Sequence, residues 1–328
     1  MKTVKLLICL LFIVASSVAC KKKKVPHVDF ANEMRNLVME ISAAAKSEDP
    51  NFLIIPQNGA ALATLSREQD GMIATDYVAA IDGQGQEDLF YGYQKDDKES
   101  PSGPRDNTIY YLDLMRANGV EILVTDYCSS GPNINNSYQK NETKGYISFV
   151  ANERNLTNIP DYMVNVHNEN SANISDLSQA KNFLYLINPT EEFATKGVFI
   201  EALKNTNYDL LILDRDFNDQ RYTAEEIESL KWKNNGGKRL VICYMSVGEA
   251  EDYRSYWKKE WKKNKTSPDW LYKENRKWRG NYKVFYWMPE WKAILYGNPD
   301  SYLTSLLSVG FDGAYLDIID AYDYYENL

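Results

Sequence analysis

The chain has 328 residues, of which 25% are charged, and its formal net charge is -9 at pH 7. An acidic domain binds nucleic acid poorly, because contacts to phosphates require clustered Lys and Arg side chains. Nucleic acid is therefore excluded as a partner. The one basic cluster, at residues 258–265, lies beside Trp257 and Trp261 at helical spacing, which is typical of a solvated helix face.

Residues 1–19 have the layout of a secretory signal, in which Lys2 and Lys5 precede a short apolar run and small residues lead to Cys20. This ending resembles a bacterial lipobox, with Cys20 as the lipidated first residue of the processed protein. An ordinary cleaved signal peptide is the alternative. Residues 20–28 then form a polar, lipid-anchored tether. The predicted location is the bacterial cell envelope, facing the periplasm or the cell surface.

Downstream of the tether, helical patterns alternate with short apolar runs. Helices are predicted at 28–48, 105–118, 193–205, 223–234 and 299–309. Strands are predicted at 52–57, 120–126, 162–166, 182–188, 208–214, 239–244, 282–287 and 311–317. Thr223 and Glu226 have the spacing of a capping box, and Gly310 follows the last helix as a C-terminal cap.

Alternating strands and helices predict a parallel sheet in an α/β fold, and eight such units predict a (β/α)8 TIM-type barrel formed by residues 29–328 as a single domain. The gap from Gln57 to Val120 is too long for one helix and predicts an insertion between the first and second strands. Residues 129–176 are polar and are predicted to be rich in loops. An open doubly wound sheet is the alternative, but no Gly-rich phosphate loop follows a strand, so no nucleotide cofactor is expected.

Cysteine and histidine limit the possible chemistry. In the processed chain Cys128 and Cys243 are expected to be buried thiols, with a single disulfide as the alternative in an oxidising compartment. The only histidines are His27 and His167, which leaves little material for a Ser-His-Asp triad or a multi-histidine metal site. No metal site is predicted.

Six apolar runs end in a carboxylate or an amide. These residues are Gln57, Asp126, Asn188, Asp214, Glu249 and Asp317. The ends of parallel strands meet at one rim of a sheet, where barrel enzymes place their catalytic groups. Paired carboxylates suit cleavage of a glycosidic bond, because one is held protonated while the other attacks or activates water. Asp214 and Asp317 are the predicted principal pair, with Glu249 as the third catalytic candidate.

Other polar and aromatic residues beside these strand ends are candidates for substrate binding. They are Gln57, Asp126, Asp216, Tyr244, Arg254, Tyr286, Trp287 and Asp320. Aromatic rings suit the flat apolar faces of sugars, and all seven tryptophans lie between residues 232 and 291. Arg254 has two interpretations, a partner for a nearby acid or a clamp on substrate. Glu251 and Asp252 are interpreted as acids in a first helical turn.

Three long segments resemble a known family. They read VICYMSVGEAEDYRSYW (241–257), GNYKVFYWMPEW (280–291) and GFDGAYLDIIDAYDY (310–324), with LLILDRDF (210–217) upstream. In this order they are similar to glycoside hydrolase family 114, the endo-α-1,4-polygalactosaminidase-like barrel proteins of bacteria. The resemblance implies a (β/α)8 fold and hydrolysis of a galactosamine-rich polysaccharide by carboxylates.

The chain departs from that family at one position. Characterised polygalactosaminidases carry Glu-Pro-Asp-Asn where this chain has Tyr-Leu-Asp-Ile at residues 315–318, so Tyr315 replaces the glutamate and Asp317 retains the aspartate. The predicted function is hydrolysis of an amino-sugar polysaccharide by a monomer. The alternatives are a carbohydrate-binding surface lipoprotein that has lost turnover and a structural protein of the envelope.

Overall fold

The computed structural model describes residues 23–162, 165–262 and 266–328. The described helices are α1 (Phe30–Glu48), α2 (Thr75–Ala80), α3 (Ser102–Ala117), α4 (Gly131–Lys144), α5 (Lys196–Lys204), α6 (Ala224–Leu230), α7 (Pro289–Leu295), α8 (Tyr302–Val309) and α9 (Ala321–Glu326). Short 3-10 helices are formed by Ala60–Ala63, Leu177–Gln179, Pro189–Glu191 and Lys259–Lys262.

The described strands comprise eight parallel strands and several short antiparallel ones. They are β1 (Leu53–Pro56), β2 (Gly83–Glu87), β3 (Glu121–Tyr127), β4 (Ile147–Ala151), β5 (Leu184–Leu186), β6 (Leu210–Leu213), β7 (Asp216–Phe217), β8 (Gln220–Arg221), β9 (Leu240–Ser246), β10 (Glu249–Glu251), β11 (Leu271–Glu274), β12 (Asn281–Val284) and β13 (Gly313–Asp317).

The centre of the molecule is a five-stranded parallel sheet in the order β1-β13-β9-β6-β5. A second parallel sheet has the order β2-β3-β4. Two isolated parallel bridges lie between these sheets, Gln57 with Gly85 and Ser148 with Asn182. The mixed α/β class and the parallel central sheet are thus confirmed, while closure into a barrel stays a prediction.

The predicted set of eight strands contains two errors and omits two of the parallel strands. In the predicted strand 162–166, residues 163–164 lie outside the described residues, and Tyr162, Asn165 and Val166 are not in a strand. The predicted strand 282–287 corresponds to β12, which belongs to an antiparallel sheet with β10 and β11. The omitted strands are β2 and β4.

Strand β2 corrects the predicted insertion between the first two strands. The gap after Gln57 holds α2, β2 and α3, so it supplies a further parallel strand that pairs with β3. The sequence of β2, Gly-Gln-Gly-Gln-Glu, has no apolar run by which it could be recognised. Region 129–176 is likewise not simply a set of loops, because it contains α4 and β4.

The predicted helix ends are confirmed. The Thr223 hydroxyl accepts from the Glu226 N–H at 3.2 Å and the Glu226 carboxylate accepts from the Thr223 N–H at 2.8 Å, a complete capping box at α6. Gly310 ends α8 in the left-handed region with φ 86°, which glycine adopts without a Cβ penalty.

The predicted helix beginning near Glu251 is wrong. Glu251 lies in β10, which pairs antiparallel with β12. Within the basic cluster, residues 263–265 lie outside the described residues, and the described part forms only the 3-10 helix Lys259–Lys262. The rings of Trp257 and Trp261 pack edge to face 5.4 Å apart.

Cys128 and Cys243 are buried free thiols, as expected. The signal segment and Cys20 lie outside the described residues. Among the residues that the structure does describe, no helix has the length and apolar character that crossing a membrane requires.

Candidate active site

A cavity of about 400 Å³ opens at the carboxyl ends of the parallel strands. Side chains from the ends of seven parallel strands meet there with others from β10 and the loop before β12. The polar and aromatic residues of its lining include Gln57, Asn58, Glu87, Tyr127, Arg154, Tyr185, Asp214, Tyr244, Glu251, Tyr253, Trp278, Arg279, Asp317 and Asp320.

Asp317, the last residue of β13, contributes a carboxyl group with an altered affinity for protons. Its Oδ2 accepts a hydrogen bond from the Tyr244 hydroxyl at 2.7 Å, and its Oδ1 accepts the Ile318 N–H at 2.7 Å. Desolvation in the cavity and the charge of Glu87 outweigh these hydrogen bonds and raise the pKa of Asp317 to about 8. The group is therefore protonated at neutral pH and can act as an acid.

Glu87, the last residue of β2, supplies a second carboxylate that the sequence analysis missed. It accepts hydrogen bonds from the Tyr127 hydroxyl and from Asn58 Nδ2, the latter at 3.4 Å. The Arg154 guanidinium lies over the Tyr127 ring, 4.0 Å from its centre, and holds that phenol in place. Desolvation raises the pKa of Glu87, although the hydrogen bond from Tyr127 opposes the shift.

Asp214, at the end of β6, is held by an arginine. Arg254 Nη1 and Nη2 donate to its two carboxylate oxygens at 2.6 and 2.7 Å, the bidentate geometry of a strong charge-assisted pair. Arg254 Nε also donates to Glu251 at 2.5 Å. Arg254 therefore joins two cavity carboxylates, the first of its two predicted roles.

Gln57 and Tyr185 add neutral polar groups to the lining of the cavity. The Tyr185 hydroxyl donates to Gln57 Oε1 at 3.1 Å, and the Tyr185 and Tyr315 rings pack edge to face 5.2 Å apart. A Cβ placed on Gly85 would lie 2.1 Å from the Tyr315 hydroxyl oxygen, so the Tyr315 ring occupies the space that the glycine leaves free.

Two exposed aromatic rings lie at the rim. Tyr253 is 59% exposed and Trp278 is 54% exposed, and both line the cavity. An aromatic side chain open to one face suits the apolar face of a sugar ring.

Several predicted carboxylates lie outside this cavity. Glu249 is buried, is bound by Asn275 at 2.9 Å and forms a salt bridge with Lys283 at 3.1 Å. Asp216 pairs with Arg215 at 2.7 Å. Asp126 is buried and accepts hydrogen bonds from the Phe90 N–H at 2.9 Å and the Ser137 hydroxyl at 2.6 Å, while burial raises its pKa to about 6. These three carboxyl groups are bound by other groups of the protein and are not available to a substrate.

The predicted aromatic pair Tyr286 and Trp287 also lies elsewhere. The Tyr286 hydroxyl donates to the Phe30 carbonyl at 2.8 Å, and the Trp287 ring stacks on Phe285 with centres 5.1 Å apart. Both rings contact Tyr325. Because β12 does not belong to the parallel sheets, the residues that follow it contact α1 and α9.

The structure brings together Gln57, Asp214, Tyr244, Asp317 and Asp320 from the predicted set. It adds Glu87, Tyr127, Glu251 and Trp278. Glu251 could have been recognised from the same YMSVGEAED segment if that segment had been interpreted as a strand. In the described ranges 23–162, 165–262 and 266–328, no group of three or more His, Cys, Asp or Glu side chains has the arrangement of a metal site.

The sequence comparisons agree with the resemblance described above. Residues 170–328 match the sequence profile described as glycoside-hydrolase family GH114. The matched segment contains β6, β9 and β13, and thus Asp214, Tyr244 and Asp317 of the cavity. The predicted family is therefore confirmed for this part of the chain.

Three relatives come from distant prokaryotes. An uncharacterized protein of Methanocaldococcus jannaschii is 41% identical over 165 residues, which cover 49% of this chain and 43% of the relative. Uncharacterized proteins of Deinococcus radiodurans and Thermotoga maritima are 36% and 35% identical over 39% and 38% of this chain. The matches span less than half the length of each relative.

Proposed function

Residues 170–328 belong to glycoside-hydrolase family GH114, and from that membership we propose that this protein hydrolyses glycosidic bonds in a galactosamine-rich polysaccharide. The observation that carries the proposal is Asp317. It lies in the matched segment, lines a cavity at the strand ends, and has a pKa of about 8. A carboxyl group that is neutral at pH 7 can protonate the oxygen of a leaving sugar.

The charge of the cavity supports an amino sugar as the substrate. Its lining carries five carboxyl groups, which are Glu87, Asp214, Glu251, Asp317 and Asp320, and of these Asp317 is neutral at pH 7. The cationic side chains of the lining are Arg154 and Arg279, and Arg154 already forms salt bridges with Asp88 and Asp96. A cavity with an excess of acidic groups attracts cationic ligands such as an unacetylated galactosamine unit.

The strand pairing supports a closed (β/α)8 barrel as the scaffold. Gln57, just after β1, is bridged to Gly85 of β2, and Ser148 of β4 is bridged to Asn182, just before β5. With these links, each of the eight parallel strands has a neighbour on both sides. A cavity at the carboxyl ends is where such barrels hold their active sites.

We also propose attachment to a membrane of the bacterial cell envelope through a lipid on Cys20. The support is the lipobox-like end of the predicted signal segment. Lipidation would place the enzyme beside polysaccharides of the envelope and its surroundings.

The test of the proposed function is release of reducing ends from a panel of polysaccharides that includes galactosamine-rich ones. The wild-type protein should release reducing ends, and Asp317→Asn should lower kcat by at least about a hundredfold, because it removes the proton donor. The melting temperatures of both proteins should show that both are folded.

Two results would contradict parts of this proposal. Equal turnover by Asp317→Asn would remove Asp317 from the mechanism. An absence of release from every polymer, with sugar binding still measurable, would favour a carbohydrate-binding lipoprotein without turnover.

A further inference from the structure

Hydrolysis requires a second carboxylate, and Asp214 is poorly placed to be free for that task. Both of its oxygens accept hydrogen bonds from Arg254, and one also accepts the Asp216 N–H at 3.0 Å. Glu251 is bound to the same arginine. Among the described residues, Glu87, Asp317 and Asp320 are the cavity carboxylates without a salt bridge, and Asp320 is exposed at the rim.

Glu87 and Asp317 project from the same side of their strands. Successive side chains of a strand alternate between its faces, so Gly85 and Glu87 share one face of β2, and Tyr315 and Asp317 share one face of β13. The Tyr315 side chain occupies the space over Gly85. Glu87 and Asp317, each two residues further on, therefore project from the same faces as Gly85 and Tyr315, beyond that contact and with the end of β1 between their strands.

The distance between the two strands fits a pair of working carboxylates. The end of β1 separates them, since the Gln57 N–H donates to the Leu316 carbonyl at 2.8 Å and Gln57 is bridged to Gly85. Two strand spacings place the backbones about 10 Å apart. Side chains converging from that separation can bring their carboxyl groups into the range of roughly 5–9.5 Å used by glycosidases.

Each of the two carboxyl groups accepts a hydrogen bond from a phenol at the floor of the cavity, Tyr127 for Glu87 and Tyr244 for Asp317. After desolvation, the charge of Glu87 is the largest influence on the pKa of Asp317. A negative Glu87 therefore helps to keep Asp317 protonated, which separates the roles of base and acid.

We propose that Glu87 is the second catalytic carboxylate of this site and takes the proton of the water that attacks the sugar. The inference rests on the proposed function. As the Asp317 carboxyl gives its proton to the glycosidic oxygen, the bond from C1 to that oxygen breaks and the water oxygen bonds to C1. Glu87 receives the released proton, and exchange with solvent returns both groups to their starting states.

The experiment compares Glu87→Gln with Asp214→Asn and with the control Glu121→Gln, all assayed for reducing-end release beside wild type. Glu121 begins β3 at the opposite end of the strands, opposite Gly83, so the control makes the same chemical change away from the cavity. Glu87→Gln should lower kcat by about 10²- to 10⁴-fold with little change in KM, while Glu121→Gln should retain wild-type turnover.

Two further readouts separate catalysis from folding. Sodium formate should restore part of the reducing-end release by Glu87→Ala, because a small carboxylate can take the proton of the attacking water, and it should not restore that of Asp214→Ala. In a carbon-13 NMR titration, Glu87→Gln should lower the pKa of Asp317, because a neighbouring negative charge is lost.

The outcomes distinguish the inference from the proposed function. Active wild type with near-normal turnover by Glu87→Gln would overturn the role of Glu87 and leave the hydrolase intact. Anion rescue of Asp214→Ala alone would give that role to Asp214. Failure of wild type to cleave any polymer in the panel would overturn both.

Discussion

Asp317 illustrates how one side chain couples activity to stability. Its pKa is raised from 3.8 to about 8 in the folded protein, whereas in the unfolded chain it should titrate near its ordinary value of about 3.9. Between these values the folded state binds a proton that the unfolded state has lost. Rising pH therefore removes stability across this window, by at most about 1.4 kcal/mol per pH unit.

This sign gives a prediction for Asp317→Asn. The amide does not titrate, so the variant should become more stable than wild type as pH rises from about 4 to 8, with the difference in melting temperature growing across that range. The kcat/KM of wild type should fall above pH about 8 as the acid loses its proton. The measurements are thermal melts and pH–rate profiles.

Glu121→Gln provides the matched control, because Glu121 lies away from the cavity on a neighbouring strand. It should follow wild type in both measurements. A constant difference in melting temperature between wild type and Asp317→Asn from pH 4 to 8 would show that Asp317 titrates normally in the folded state.

Some site residues could be predicted from the sequence because the residues next to them in the chain indicate a buried strand. Asp214 and Asp317 lie at the ends of apolar strands, and the carboxyl ends of parallel strands all lie at the same edge of the sheet. Glu87 ends a strand without apolar residues, so no apolar run in the sequence indicated a strand end at this position. Acids are common in the first turn of a helix, which favours a helix at Glu251, whereas the chain turns after β9 and forms the separate strand β10 there.

At the scale of elements, β2 is stabilised by packing against neighbouring strands and side chains. Its glycines leave space for other side chains, since a Cβ on Gly83 would lie 2.8 Å from Leu177 and one on Gly85 would lie 2.1 Å from Tyr315. The Gln84 side chain donates to the Asn58 and Gly85 carbonyls at 2.9 and 2.8 Å. Propensity alone cannot predict a strand whose stability comes from tertiary packing.

This packing predicts that Gly85→Ala is destabilising. The added methyl group would overlap the Tyr315 ring and force either β2 or β13 to move, at a cost of about 1–3 kcal/mol. Urea denaturation of the variant would measure the loss in the free energy of unfolding. Combining it with Tyr315→Leu should give a smaller loss than the sum of the two single changes, because the shorter side chain leaves room for the methyl group.

Gly197→Ala is the matched control for this change. A Cβ at Gly197 meets no atom within 4 Å, and the residue lies in α5, where alanine is favoured by up to about 1 kcal/mol. Gly85→Ala with wild-type stability would mean that Tyr315 does not occupy the space beside β2.

The same reasoning explains which elements could be predicted. The central strands β6, β9 and β13 are continuous apolar runs buried in the sheet, and such runs are the clearest signal in an α/β sequence. The segment 282–287 also ends in apolar and aromatic residues, but its strand, β12, covers only Asn281–Val284 and pairs antiparallel with β10 and β11. The apolar composition of a segment predicts that its side chains are buried, but it does not predict which sheet the segment joins.

At the scale of the whole molecule, the question is where the folded domain begins. Helix α1 buries one face with Met34, Leu37, Val38 and Ile41, and its first residue, Phe30, packs on Trp287 and Tyr325 with ring centres 5.2 and 5.5 Å apart. Asp29 caps this helix by accepting the Asn32 N–H at 2.9 Å. These contacts join the start of the predicted domain to its last helix.

Residues 23–28, the described part of the chain before Asp29, are partly or fully exposed. Lys23 donates to the Leu271 carbonyl at 2.7 Å and to the Ser267 hydroxyl at 3.1 Å, and a partly exposed lysine adds little stability through such bonds. A protein that starts at residue 29 should therefore melt within a few degrees of the mature protein and cleave polysaccharide in solution. One that starts at residue 49 should not fold, because removing α1 exposes several buried apolar side chains.

The anchor can be tested beside these truncations, since it should affect location and not fold. In cells, the full chain should partition into detergent with the membrane, and Cys20→Ala should appear in the aqueous phase, because a lipid chain on Cys20 is the proposed attachment. Membrane recovery of Cys20→Ala would assign attachment to another feature. A start at residue 49 that still folds would show that the domain does not require α1, despite its buried face.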